Sequence, residues 1–206
     1  MRSEEKFSLK ASGWLIATGF MVFPIYKIIN SIQQNNFNAV SFGYYLATFA
    51  GAFAAGFSFS KLNKRTLKDL LICLGIVLLI KGIGFAIILI EGQHPNYLTA
   101  FTSLLTYLPI AFIVEEVVFR GLLDTYIHPE QKPGGIWSVL FISVLWALWH
   151  LPLLQSNESI LFISLGAIIR TASWGIPLSI FWRRSGNLAV PVFSHAFIDA
   201  IRDALM

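Results

Sequence analysis

Long apolar runs separated by short polar breaks dominate the chain. Seven runs fall at roughly 12–32, 39–60, 70–90, 98–126, 136–154, 160–182 and 188–205. Each is near the length that crosses a hydrocarbon core of about 30 Å. The breaks read "QQNNFN", "KLNKRTLKD", "EGQHPNY", "HPEQKPGG", "QSNES" and "RRSGN". A lone strand cannot pair its backbone in lipid, so every run is expected to be helical. The pattern predicts an all-α fold, a polytopic transmembrane helix bundle of about seven spans, in a single membrane domain over 1–206. The last run carries His195, Asp199, Arg202 and Asp203. It is expected either to pack inside the bundle or to emerge early.

Composition fits the lipid bilayer as the chain's surroundings. Hydrophobic residues make up 56% of the sequence and charged residues 13%, against about 25% charged in an ordinary soluble domain. The N-terminal "MRSEEKFSLK" precedes a long run that contains Lys27 and lacks a small-residue cleavage site, so the first run is expected to be a retained span. Cys73 is the single cysteine and lies in an apolar run, which makes it a buried structural thiol with no intrachain disulfide.

The basic residues follow the pattern of membrane orientation, and nucleic acid is not implied as a partner. Arg2, Lys6 and Lys10 precede the first run, and Lys61, Lys64, Arg65 and Lys68 lie between the second and third. Lys132 lies between the fourth and fifth, and Arg183 and Arg184 between the sixth and seventh. The three intervening breaks hold no Lys or Arg. This asymmetry predicts a cytoplasmic N-terminus. Gly43, Ala47, Gly51 and Ala55 recur at four-residue steps in the second run, a face for close helix packing.

The informative residues are the ionisable ones inside the runs, because each costs roughly 2.5–3.5 kcal/mol at a helix centre. They are Lys81, Glu115, Glu116, Arg120, His150, Arg170, His195 and Asp199. Counting about 1.5 Å per helical residue from the basic ends puts Glu115, His150, Arg170 and Asp199 about 18–21 Å deep and His195 about 12 Å deep. Four different helices therefore bring polar groups into one slab. Glu116 and Arg120 are four apart, in the favourable order of acid before base. Glu115 points about 100° away from Glu116 on an α-helix, toward a cavity. His195 and Asp199 are also four apart and can share a face. Taken singly, each has a bland reading. Arg170 reads as a structural partner for a carboxylate, Trp146 and Trp149 as packing residues, and Lys81 receives no role. The joint occurrence of the acids and histidines at one depth carries the argument.

Three motifs then stand in order. "EEVVFR" at 115–120 resembles the EExxxR motif of the CAAX-protease and bacteriocin-processing family of intramembrane endopeptidases, also called the Abi family. "WALWH" ending at His150 resembles its second motif, and "HAFID" from His195 to Asp199 its third. The resemblance covers about 115–199, within a motif-bearing core at 98–205. It implies that Glu115, helped by His150, activates water, that Glu116 and Arg120 hold the motif helix, and that His195 and Asp199 stabilise an oxyanion. Trp146 stands where Phe is commoner in the family. Asp199 stands where the eukaryotic prenyl-protein proteases have Asn. An ionised Asp cannot donate a hydrogen bond, so it must be protonated, orient His195, or bind a metal.

The resemblance thus implies an endopeptidase that hydrolyses a peptide bond of a membrane-associated peptide or protein, in a bacterial plasma membrane, in the setting of bacteriocin processing or self-immunity. The favoured reading requires no cofactor. The alternative is Zn²⁺ held by Glu115, His150, His195 and Asp199, all ordinary zinc ligand types, although no HExxH is present. Two other function classes use buried acids and histidines: a proton- or cation-coupled transporter, and a non-catalytic peptide-binding immunity protein. The chain shows no matched halves or paired broken helices, which weighs against a transporter. The sequence assigns no oligomeric state.

Overall fold

The computed structural model describes residues 10–92, 94–128, 135–150 and 160–205. Within them the apolar runs form seven helical rods: α1 Ala11–Gln33, α2 Ala39–Ser60, α3 Lys64–Ile90, α4 Tyr97–Ile127, α5 Ile136–Trp149, α6 Ile160–Ser185 and α7 Ala189–Ala204. No strand occurs among the described residues, and the fold is an all-α membrane bundle. Three helices, Ala11–Gln33, Lys64–Ile87 and Tyr97–Ile127, are long and apolar enough to cross a membrane, and Ile136–Trp149 is a shorter apolar helix. The surface matches that setting: Leu15 on α1 and Leu71, Leu79 and Ile83 on α3 point outward, while Glu116, Arg120 and Asp124 are buried. Arg2, Lys6 and Lys132, and positions 151–154 of the fifth run, lie outside the described residues.

Local chemistry explains where the rods differ from the apolar pattern. The third rod begins at Lys64, well ahead of residue 70, because Asn63 and Thr66 form a capping box. The Asn63 carboxamide oxygen accepts from the backbone of Arg65 and Thr66 at 3.0 Å, and the Thr66 hydroxyl accepts from the Asn63 amide at 2.7 Å. Three backbone N–H groups are thus satisfied at the helix start. The fourth rod is not uniformly α-helical. Tyr97–Ala111 is α, Phe112–Asp124 winds as a π-helix, and Thr125–Ile127 returns to α. Pro109, which has no N–H to donate, sits just before the change. Long π-helical stretches are rare and concentrate at functional sites.

The rods run alternately up and down. α1 pairs with α2, α5 with α6, and α7 rests chiefly on α4 and α3. One end of the bundle gathers the α2–α3 and α6–α7 connections and the junction of α4 with α5. There Arg184 Nη2 meets Asp69 Oδ1 at 2.9 Å and Asn187 Nδ2 donates to the Ser58 carbonyl at 3.0 Å. Arg183 is buried, donating from Nε to Asp124 Oδ2 at 3.0 Å and from Nη2 to Ser138 Oγ at 2.9 Å. It was counted above only as a loop charge. At the opposite end the Asn96 amide donates to the Ala204 carbonyl at 2.9 Å, tying the start of α4 to the end of α7.

The small-residue face of α2 is used at its inner half. A Cβ on Gly51 would overlap the Pro109 carbonyl of α4, and Ala55 is fully buried, whereas Gly43 has open space around it. A second close approach, Gly56 against the Gly13 backbone, draws α1 onto α2. Cys73 is buried in a core cluster with Leu70, Phe119, Ile142, Trp146, Leu178, Phe181 and Val190. A neighbouring cluster joins Ala55, Leu108, Phe112, Val192 and Ala196. Both clusters include α7, which buries ten of its sixteen residues. Of the two outcomes left open for the last run, the inside of the bundle is the one realised.

Candidate active site

The π-helical part of α4, the end of α5 and the middle of α7 converge on one small polar cluster. Glu116 and Arg120 have no exposed side-chain surface. Arg120 Nη1 donates to Glu116 Oε1 at 3.0 Å, so the pair read from the four-residue spacing forms even though the helix is π rather than α. The same Glu116 oxygen lies 2.8 Å from His195 Nδ1. A carboxylate only accepts, so the His195 Nδ1 carries the hydrogen. The other His195 nitrogen, Nε2, lies 3.4 Å from Asp199 Oδ2 and 3.8 Å from Glu115 Oε2. The ring is therefore flanked by three carboxyl groups, and it is only 2% exposed.

Glu115 is the least enclosed of the two acids, 16% exposed, and its Oε2 is the focus of the cluster. Trp146 Nε1 donates to it at 2.6 Å, and His150 Nε2 stands 3.5 Å away. His150 is the C-cap residue of α5, with φ −84° and ψ −11°. The expectation of a residue deep within a continuing helix is corrected: α5 stops at Trp149, and the ring is held by Nδ1 against the Trp146 carbonyl at 2.8 Å. A carbonyl accepts, so Nδ1 donates, and Nε2 is the nitrogen turned toward Glu115.

Trp146 is more than the packing residue the sequence implied. Its face carries the Arg120 guanidinium at 4.6 Å from the ring centre, and the rings of His150 and His195 each meet it edge-on at 5.0 Å. One side chain thereby touches all three motifs. Trp149 does match the packing reading, lying edge-on to Phe119.

Asp199 faces His195 with one oxygen and accepts from Arg202 Nη1 with the other, Oδ1, at 2.8 Å. Arg202 was noted only as a charge in the last run. It also donates to Asp203 Oδ1, at 3.0 Å from Nε and 2.9 Å from Nη2, and to the Tyr107 hydroxyl at 3.0 Å. Arg170 does not join this site. It lies on an exposed face of α6, and no carboxylate among the described residues pairs with it. Lys81 sits with Nζ 5.2 Å from the centre of the Trp174 ring. Depth counting thus named residues on α4, α5 and α7 that converge and one on α6 that does not join them, because depth says nothing about which way a helix face points.

The cluster offers a partly open carboxylate, a histidine ring nitrogen beside it, and a buried histidine presenting a second nitrogen toward the same carboxylate. Those are the parts needed to deprotonate water and to stabilise developing negative charge. Among the described residues no three His, Cys, Asp or Glu side chains group as a set that could hold a metal ion.

Comparison with known proteins agrees with the family resemblance. A family model described as "Type II CAAX prenyl endopeptidase Rce1-like" matches residues 97–201, from the first residue of α4 almost to the end of α7. No curated protein and no solved structure matches the chain.

Proposed function

From the premise that this chain belongs to the Rce1-like type II CAAX prenyl endopeptidase family, and so is a membrane protease, we propose that Glu115 activates the water that hydrolyses the peptide bond. The observation that carries this reading is the convergence of Trp146 Nε1, His150 Nε2 and His195 Nε2 on the single oxygen Glu115 Oε2. A water held by Glu115 and the His150 lone pair gives one proton to Glu115. Its oxygen bonds to the scissile carbonyl carbon, and the carbonyl electrons move to the oxygen. His195, as the imidazolium with Nδ1–H on Glu116, lies where its Nε2–H can face that oxyanion. Collapse of the tetrahedral intermediate breaks the C–N bond, and the leaving nitrogen takes the proton from Glu115. The products are a carboxylic acid and an amine, and the acid's proton then passes to the amine or to solvent. Glu116 and Arg120 hold the motif helix, and Asp199 orients His195.

This reading needs no metal. Trp146 already holds one oxygen of Glu115, and Arg202 one oxygen of Asp199, which supports water activation by side chains. In the zinc alternative Glu115, His150, His195 and Asp199 are the ligands, and the ion would polarise the bound water. Chelation separates the two. Cleavage that persists after 1,10-phenanthroline treatment, in protein whose metal content is below one-tenth equivalent, supports the metal-free route. Loss restored by added Zn²⁺ supports the other.

The substrate class is a membrane-associated peptide or leader, cut in a bacterial plasma membrane during bacteriocin processing or self-immunity. The experiment uses purified protein in detergent micelles with two quenched-fluorescent peptides, a farnesylated CAAX peptide and its unprenylated counterpart. Wild type is expected to cleave, and Glu115→Ala and His150→Ala to lose about 10²–10⁴-fold in kcat. Equal activity in all three proteins would sink the assignment.

A further inference from the structure

We propose that Arg202 is a positioning residue for this hydrolysis: it fixes the Asp199 carboxylate, and through it the His195 ring, so that an Asp–Arg pair fills the place of a neutral amide. The inference rests on the reading that His195 faces the reacting carbonyl. His195, Asp199 and Arg202 follow one another at steps of four and three on α7 and share one face. Asp199 has two oxygens and two partners. Oδ1 accepts from Arg202 Nη1 at 2.8 Å, and Oδ2 lies 3.4 Å from His195 Nε2. A guanidinium stays charged across the working pH range, and it only donates. Asp199 opposite it is therefore an acceptor. It cannot act as the hydrogen-bond donor that an Asn amide supplies, and its work is to hold the Nε2–H end of the ring.

Both nitrogens of His195 then face carboxylate oxygens, Glu116 at Nδ1 and Asp199 at Nε2. A protonated ring, which donates from both nitrogens, is fixed in orientation by an acceptor at each end. The guanidinium is itself fixed from α4. Tyr107 on α4 accepts from Nη2 at 3.0 Å, and Ser103 on α4 donates to Asp203 Oδ2 at 2.8 Å, while Asp203 takes Nε and Nη2. The chain of contacts runs from α4, through Asp203 and Arg202, to Asp199 and His195, and so back to Glu116 on α4. Arg202 is about half exposed, and an isolated pair so exposed contributes little. Here four donated bonds to three partners fix the fork, and its effect is on geometry at His195.

The bland alternative is that Arg202 merely fastens α7 to α4. The test separates the two with full-length protein in micelles, the farnesylated peptide, and Glu115→Ala as the control for the underlying reading. Arg202→Gln is expected to lower kcat roughly 10–100-fold, the size that outer partners of a functional histidine command, with KM within about twofold and thermal midpoint little changed. Arg202→Lys restores part of the loss, since it returns the charge without the fork. Asp199→Asn combined with Arg202→Gln is at least as active as Arg202→Gln alone, because a neutral amide needs no counter-cation and donates its own N–H. The ring ¹⁵N resonances of His195, identified by their loss in His195→Gln, shift in Arg202→Gln whether or not a given peptide is cut. Unchanged His195 resonances, a wild-type kcat, activity lost only in step with the thermal midpoint, or double-variant losses that simply multiply would each overturn the proposal. Cleavage that survives Glu115→Ala would instead overturn the water-activation reading, while the His195 resonances still decide the role of Arg202.

Discussion

Trp146 on α5 donates its indole N–H to Glu115 on α4 across 2.6 Å. The same ring covers Arg120 and abuts both histidines. A phenylalanine here would keep a ring against Arg120 but lose the hydrogen bond and part of the indole's bulk. Hydrogen bonds to charged groups contribute about 1.5–3 kcal/mol. Trp146→Phe is therefore expected to reduce kcat about tenfold or more, at a temperature where the variant is still folded, with a moderately lowered thermal midpoint, read by steady-state cleavage and detergent-micelle melting. A wild-type kcat would show that the indole N–H does not aim the Glu115 carboxylate.

Glu116 and Arg120 are wholly buried, and breaking such a pair leaves an uncompensated charge. Arg120→Met is expected to destabilise the protein by about 3–5 kcal/mol, whereas replacing both members, Glu116→Gln with Arg120→Met, is milder than Arg120→Met alone. Urea or SDS unfolding of the single and double variants checks this. If the double variant were the less stable, the pair would not be acting as a compensated unit.

Asp124 holds Arg183 at the end where α4, α5 and α6 meet, far from the reacting groups. Asp124→Ala should lower the thermal midpoint strongly, again on the order of 3–5 kcal/mol. The surviving folded fraction should keep the wild-type KM. A changed KM at a temperature where the variant is folded would mean that this end also shapes the substrate path.

The basic end of the bundle is proposed to face the cytoplasm. Cysteine placed at Lys64, which is exposed at that end, should react with a membrane-impermeant maleimide only from the cytoplasmic side. Cysteine at Gln34, exposed at the opposite end, should react only from the other side. Cys73 is buried and should stay silent in both. Labelling with the opposite sidedness would invert the orientation.

The seven rods were legible because lipid demands apolar runs of a fixed length, and the polar breaks punctuate them. The π-helix was not, since an apolar stretch such as "IVEEVVFRGLL" has no periodicity that separates a wider turn from an α turn. The end of α5 at Trp149 was hidden because "LPLL" continues the apolar pattern past His150. Asn63 and Thr66 could have announced the early start of α3, as their spacing is that of a capping box. Glu115, His150, His195 and Asp199 are brought together as depth and motif order implied. Tyr107, Arg202 and Asp203 were missed because they lie where a span ends, and charges there ordinarily read as solvated. Arg202 three residues after Asp199 was the available signal.

The helix that fills the middle of the bundle is the last of the seven along the chain. A ribosome therefore delivers α1 to α6 before His195 and Asp199 exist, and the six earlier helices must wait with an unfilled seam between α3 and α4. Until α7 docks there, neither Glu115 nor Glu116 has the His195 ring beside it, so the polar cluster is assembled by the arrival of this helix and not by the folding of α4 alone.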